Sequence, residues 1–205
     1  MNKKTILVLI ISIVIALVIG GGTGYYIGKN SQQEITNPAL TSSYKPAAEK
    51  GTTIEKDDFY IYLPRGWAEA AQPPVGVSLS AVNQNEQITD PAAKRINFQS
   101  YYSVVYDSLG ENTKQEYYEE ARQSLINDIP GGGTITKEET KTINGRESFL
   151  AVVEFTQREI TFKAMVVIIP GENKDMWMIS FNTLENKWDD YQDLFYQIAE
   201  SFELK

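Results

Sequence analysis

The sequence has 205 residues and a formal net charge of −8, and it contains neither cysteine nor histidine. Without these residue types it cannot form a disulfide, a thiolate nucleophile, a Ser-His triad or a zinc site of the usual ligands. Without Lys3, Lys4 and Lys29 the remaining chain carries −11, and this charge would repel both nucleic acid and the anionic lipid of a membrane surface. We therefore expect a single acidic domain with no enzyme activity, no cofactor and no nucleic-acid partner.

The chain opens with an apolar segment that extends to Ile27. As a helix, the 23 residues from Thr5 to Ile27 would span about 35 Å, enough to cross the hydrocarbon core of a bilayer. Lys3 and Lys4 precede the segment, so the positive-inside rule places the N-terminus in the cytoplasm and the domain outside. We predict that residues 1–29 form a single transmembrane helix that anchors the chain in the cytoplasmic membrane. The alternative is a signal peptide, with secretion of the cleaved protein.

Three glycines in this segment, Gly20, Gly24 and Gly28, lie four residues apart. Small residues at this spacing let two membrane helices approach each other closely. The pattern would allow a homodimer formed through the anchor. The alternative is that glycine is simply frequent in membrane helices and near signal cleavage sites.

Residues 30–56 are polar, contain Pro38 and Pro46, and lack an apolar period, which predicts a flexible linker. The domain is predicted over residues 57–205. Alternation of Phe59 and Ile61 with tyrosines predicts its first strand. Further strands are predicted over 75–81 and 95–106, with a polar loop at 83–93 between them.

The second half of the domain begins with a helix, because Thr113 is followed three residues later by Glu116, the pattern of a capping box. Pro130 and the glycines at 131–133 end this helix. Asn144-Gly145 predicts a hairpin between strands 134–143 and 146–157. Two more strands are predicted over 160–169 and 176–181.

The last predicted element is a helix from 187 to 202, capped by Asn186, and its apolar residues recur at helical spacing. These residues are Trp188, Tyr191, Phe195, Ile198 and Phe202. Successive strands with short turns form an antiparallel sheet, and two amphipathic helices must cover its faces. The fold class is therefore α+β, with a central antiparallel β-sheet flanked by helices.

The order of these elements, with Leu63-Pro64-x-Gly66-Trp67 after the first strand and Ser201-Phe202-Glu203-Leu204 after the last helix, resembles the PsbP-like family. This family includes the photosystem II extrinsic protein, Ran-binding Mog proteins and exported bacterial proteins. The resemblance covers residues 53–205. It implies an α/β/α sandwich and a binding or assembly role rather than catalysis, with another envelope protein as the expected partner.

Several tyrosines are candidates for an exposed aromatic surface that would bind a protein or a glycan. We expect Tyr60 and Tyr62 to face away from the core and to form this surface together with Tyr101; Tyr102 and Tyr106 belong to the same Tyr-rich group. The alternative is that a helix covers these side chains.

Carboxylates supply the remaining candidates for chemistry. Glu185, Asp189, Asp190 and Asp193 could gather a weak calcium site, although a solvated helix face explains them as well. A carboxylate-dependent hydrolase of the cell envelope is the alternative function, because glycoside hydrolysis needs two carboxylates at a defined separation. Its candidate residues are Glu138, Glu139, Glu154 and Glu159.

Overall fold

The computed structural model describes residues 51–71 and 73–205. None of the helices in this part of the chain is long and apolar enough to cross a membrane. The strands are β1 (Thr52–Glu55), β2 (Phe59–Leu63), β3 (Trp67–Glu69), β4 (Val77–Asn83), β5 (Tyr101–Ser108), β6 (Thr134–Ile143), β7 (Arg146–Gln157), β8 (Ile160–Pro170), β9 (Asp175–Leu184) and β10 (Glu203–Leu204). The helices are α1 (Pro91–Arg95), α2 (Lys114–Asn127) and α3 (Trp188–Glu200), with a 3-10 turn at Glu185–Lys187.

Seven strands form a central antiparallel sheet in the order β3-β4-β5-β9-β8-β7-β6, and β1, β2 and β10 form a smaller sheet. The predicted hairpin between β6 and β7 is confirmed, with Ile143 opposite Arg146. Asn144 and Gly145 both have positive φ, 45° and 77°, as a two-residue turn matching the twist of its strands requires. The hairpin fixes which residues of β7 point to each face of the sheet.

Alternation along the long strands divides the apolar residues between two cores. Phe149, Ala151 and Val153 of β7 lie in the core beneath α2, whereas Leu150 and Val152 lie in the core beneath α3. Because successive strand residues point to opposite faces, a strand buried on both sides contributes to both cores. The central sheet is therefore the middle layer of the fold.

Helix α2 covers the first face, and its predicted capping box is confirmed. The hydroxyl of Thr113 accepts a hydrogen bond from the N–H of Glu116 at 3.2 Å, and the Glu116 carboxylate accepts one from the N–H of Thr113 at 2.8 Å. At the other end, Gly131 and Gly132 have φ of 91° and 81°, and the N–H of Gly132 donates to the carbonyl of Ile129. The predicted glycine stop is thus confirmed.

Helix α3 covers only part of the second face, which corrects the prediction that helices alone flank the sheet. Its predicted apolar stripe is confirmed, because Trp188, Phe195 and Ile198 are buried in the second core. The small sheet covers the rest of this face, where the ring of Phe59 lies 5.2 Å from that of Trp177. The α+β class is confirmed, and β1, β2 and β10 complete the third layer.

Strand β1 lies inside residues 30–56, all of which we predicted as linker, so the folded part begins earlier than residue 57. β1 pairs with β2 in the register Thr52 to Leu63. Ile54 is its one half-buried residue, and the other three residues are exposed. A four-residue edge strand with one apolar position has too little alternation to be recognised in the sequence.

Two further predictions are wrong at element boundaries. The segment from residue 95 is not a strand until Tyr101, because Asp90 caps the short helix α1 by accepting a hydrogen bond from the N–H of Ala93 at 2.7 Å. Asn186 does not cap the last helix. It lies within the 3-10 turn that precedes α3, and α3 begins at Trp188 without a side-chain cap.

Candidate functional site

The three tyrosines predicted as an aromatic surface do not lie together. Tyr60 and Tyr62 are half-buried on the outer side of β2, as the alternation with Phe59 and Ile61 predicts. Tyr101 is only 6% exposed and belongs to the core beneath α2, on the far side of the central sheet. The proposed surface is therefore corrected: Tyr101 faces the opposite core and cannot join Tyr60 and Tyr62.

An open cleft of about 560 Å³ lies instead at the end of the central sheet where β9 begins. The segment before β2, the end of β5, the turn between β8 and β9, and the chain after β10 form its walls. The lining residues are Asp57, Asp58, Tyr106, Glu172, Asn173, Asp175, Trp177, Leu204 and Lys205. We name this the acidic cleft, because it brings four carboxylates together with two aromatic rings.

Tyr106 is the aromatic residue that the acidic cleft exposes, with 47% of its surface accessible. Its hydroxyl donates a hydrogen bond to Asp175 at 2.9 Å, and its ring lies edge-on to Trp177 at 5.2 Å between centroids. The hydrogen bond to Asp175 raises the pKa of Tyr106, and partial burial and nearby acidic side chains raise this pKa further. Tyr106 therefore stays neutral and presents a fixed aromatic face to solvent.

The turn between β8 and β9 places the carboxylates of Asp175 and Glu172. The N–H of Gly171 donates to the carbonyl of Asp175 at 2.7 Å, and the N–H of Asp175 donates to the carbonyl of Glu172 at 2.9 Å. A Cβ atom at Gly171 would lie only 2.7 Å from the Cβ of Asp175. Glycine at this position is therefore required by the close approach of the two chain segments.

Lys205 is the cation that lines the acidic cleft, and another residue engages its charge. Its Nζ pairs with Glu55 at 2.8 Å, and this hydrogen bond raises the pKa of Lys205. The same Nζ lies 4.9 Å from the ring centre of Tyr60, whose hydroxyl donates to Glu55. None of the four cleft carboxylates forms an ion pair with a described residue, although Asp175 accepts the hydrogen bond of Tyr106 and the charge of Asp57 also raises the pKa of Lys205. Four carboxylates and one lysine leave the cleft with a net negative charge.

The acidic cleft can therefore attract a cation and hold it against an aromatic face. Cations bind favourably over the ring of a tyrosine within about 6 Å, and carboxylates nearby strengthen this attraction. Within the described residues, no group of three acidic side chains is arranged to hold a metal ion. The geometry fits an organic cation or a basic side chain.

The other carboxylate candidates lie outside the acidic cleft. Glu138 pairs with Arg122 at 3.0 Å on the edge strand β6. Glu139 pairs with Lys137 at 3.0 Å and accepts a hydrogen bond from Tyr196. Opposite charges thus flank both side chains at the sheet edge.

The remaining candidates also lie outside the acidic cleft. Glu154 lies opposite Thr134 and Lys163 on the neighbouring strands, and Asp190 in α3 pairs with Lys187. Neither the acidic cleft nor the grouping of acidic side chains among the described residues assembles the proposed hydrolase or calcium site. Gly20, Gly24 and Gly28, the candidates for helix association, lie outside the described residues.

The sequence identified Tyr106 only as one of several tyrosines, and it missed the grouping of Asp58, Glu172 and Asp175. Together with Tyr106, these residues come from three segments that meet at one end of the sheet: the chain before β2, the end of β5 and the turn between β8 and β9. The local signals were present, since Pro170 and Gly171 predict the turn. Their convergence depends on the order of strands in the central sheet, which no local pattern encodes.

The sequence matches no protein-family profile and no curated protein. Solved structures of other proteins nevertheless share the architecture of this chain. LpqN of Mycobacterium tuberculosis, described as involved in cell envelope biogenesis, has a TM-score of 0.57 and 16% identity over 76% of this chain and 91% of its own.

Two other similar structures are of a Ran-binding Mog protein and of a PsbP, the kinds of protein to which the order of elements in the sequence pointed. The Ran-binding protein Mog1p of Saccharomyces cerevisiae has a TM-score of 0.56 and 15% identity over 76% of this chain and 95% of its own. Cyanobacterial PsbP from Synechocystis has a TM-score of 0.51 and 15% identity over 82% of this chain and 100% of its own. The resemblance predicted from element order is confirmed at the level of the fold: this chain has the PsbP-like fold.

Proposed function

We propose that this protein is a membrane-anchored, non-catalytic binding or assembly module whose domain lies outside the cytoplasmic membrane. The apolar segment from Thr5 to Ile27 supports the anchor, and Lys3 and Lys4 support the orientation. The PsbP-like fold supports a binding role, and the similar LpqN is described as involved in cell envelope biogenesis. Fold likeness alone does not transfer function, so the acidic cleft carries the proposal.

The observation that carries the proposal is the composition of the acidic cleft. It offers the exposed ring of Tyr106 and four carboxylates that lack ion pairs with the described residues. Such groups hold a cationic side chain by stacking and charge attraction. The partner that fits is another envelope protein that presents lysine or arginine at its surface.

Photo-crosslinking in membranes tests this proposal. A photoreactive amino acid replaces Glu172 at the rim of the acidic cleft in the full-length chain, and a matched variant carries it at Gln123, exposed on α2. We expect one discrete adduct from position 172, absent from position 123 and weakened by high salt. Equal adducts from both positions, or none from position 172, would contradict a binding role for the acidic cleft.

The anchor allows a separate function, that of a sensor or scaffold that dimerises in the membrane. The spacing of Gly20, Gly24 and Gly28 favours this alternative. Gly24→Ile should abolish the signal of a membrane dimerisation reporter, whereas Val14→Ile serves as a control. A signal that Gly24→Ile leaves unchanged would reject association through these glycines.

A further inference from the structure

A second cleft, of about 430 Å³, lies at the opposite end of the central sheet from the acidic cleft. It forms between α1 with the residue that follows it and the hairpin that joins β7 to β8. Phe162 in β8 pairs with Leu184, so this hairpin lies where β9 ends, whereas the acidic cleft lies where β9 begins. The lining residues are Ala92, Arg95, Ile96, Arg158, Glu159 and Ile160, and we name this the arginine cleft.

The arginine cleft combines an apolar floor with two free cations. Ala92 and Ile96 are half-buried and contribute accessible apolar surface, and Ile160, which also lines the cleft, is buried. Arg95 and Arg158 are exposed, and neither makes a side-chain hydrogen bond or ion pair with a described residue. By contrast, Arg122 in α2, which does not line this cleft, pairs with Glu138.

The hairpin at the rim has an unfavourable sequence for its conformation. Arg158 and Glu159 have φ of 49° and 67°, in the left-handed region that side chains other than glycine and asparagine rarely adopt. The hairpin between β6 and β7 has the same turn and uses Asn144 and Gly145, the preferred pair. A strained turn that places long charged side chains at the rim of a cleft is typical of a functional position.

We propose that the arginine cleft binds an anionic group attached to an apolar chain. Guanidinium groups bind phosphate and carboxylate through paired hydrogen bonds, and Arg95 and Arg158 are free to do so on either side of the cleft. The floor formed by Ile96 and Ile160 accepts the apolar part. Glu159 lowers the affinity for such an anion, because it places a like charge at the rim.

The isolated domain, residues 51–205, is suited to the test. The small and central sheets and both cores form within these residues. In the similar cyanobacterial PsbP, the match covers 100% of the chain, so that protein consists of this fold alone. The probe is octyl phosphate below its micelle concentration, and its binding is measured from amide NMR shifts of Ala92 and Ile160.

Three ligands separate the two parts of the proposal. Octyl phosphate should bind at least about tenfold more tightly than inorganic phosphate, which lacks the apolar chain, and than octanol, which lacks the charge. This result distinguishes an amphiphile, such as a lipid, from free phosphate as the source of the anion. Equal affinity for octyl phosphate and octanol would overturn the role of the arginines, and equal affinity for both phosphates would overturn that of the floor.

Substitutions assign the contacts. Arg95→Gln and Arg158→Gln should each weaken octyl phosphate binding about tenfold or more. The control Arg122→Gln, outside the cleft, should leave the affinity within about twofold. Glu159→Gln should increase the affinity, because it removes the like charge. Unchanged binding in either arginine variant, or weaker binding in Glu159→Gln, would overturn the proposal.

Discussion

Replacing Arg158 and Glu159, the strained residues of the hairpin between β7 and β8, should stabilise the domain. The hairpin between β6 and β7 is the reference, because it has the same turn with the preferred residues Asn144 and Gly145. A residue with a Cβ in the left-handed region costs roughly 1–2 kcal/mol, and asparagine costs less than arginine. Glu159→Gly removes this cost. Glycine also gives the unfolded chain more conformational freedom, which reduces the gain in stability by roughly 0.5–1 kcal/mol. With a smaller gain from Arg158→Asn, the double substitution should raise the free energy of unfolding by about 1 kcal/mol. For a domain of this size the melting temperature should then rise by about 3 °C.

Urea unfolding of residues 51–205, followed by tryptophan fluorescence, measures this difference. The reciprocal control is Gly145→Glu, which places a Cβ at φ of 77° in a turn where no atom lies within 4 Å of it. It should lower the free energy of unfolding by up to about 1 kcal/mol, because left-handed strain of roughly 1–2 kcal/mol outweighs the roughly 0.5–1 kcal/mol gained by restricting the unfolded chain. A double variant at 158 and 159 that is neutral or less stable would refute the strain argument and remove a main support for the arginine cleft.

Three further predictions address the fold. Phe195→Ala should cost about 3–5 kcal/mol in urea unfolding, because Phe195 is fully buried, whereas Asp193→Ala on the exposed face of α3 should change stability by less than about 0.5 kcal/mol. Thr113→Ala removes the capping box of α2 and should cost about 1 kcal/mol by the same measurement. Burial raises the pKa of Tyr102 and Tyr117, so the folded state keeps protons that the unfolded state loses near pH 10. The contribution of these tyrosines to stability should be constant below pH 10 and fall above it by about 1.4 kcal/mol per pH unit for each such tyrosine, and Tyr102→Phe should make the fall shallower.

Local chemistry made the central features of the fold predictable. Asn144 and Gly145 encode one turn type, and the Thr113 and Glu116 pair encodes a helix start, so both were correct to the residue. The apolar stripe of α3 was correct because its 3.6-residue period extends over the whole helix. Each of these signals acts within a few residues and does not depend on which element packs against it.

The prediction of an aromatic surface was wrong for Tyr101, because the two faces of β5 carry the same kind of residue. Tyr101 and Tyr102 are adjacent in β5, both are buried, and they enter opposite cores. In a central strand covered on both sides, apolar residues occur on both faces, so their alternation with polar residues does not mark which face is which. The side that Tyr101 occupies follows from its pairing with Asn182 in β9, and no local pattern predicts that register. Burial of Tyr101 is therefore a consequence of tertiary structure.

The place where the chain enters the domain gives the two clefts different surroundings. The N–H of Gly51 donates to the hydroxyl of Tyr62 at 3.0 Å, near the end of β2 that lies away from Asp58 and the acidic cleft. Five residues of β2 separate these points by about 17 Å. Because the acidic cleft lies where β9 begins and the arginine cleft lies where β9 ends, the two sites do not overlap, and one domain can bind two ligands of opposite charge without competition.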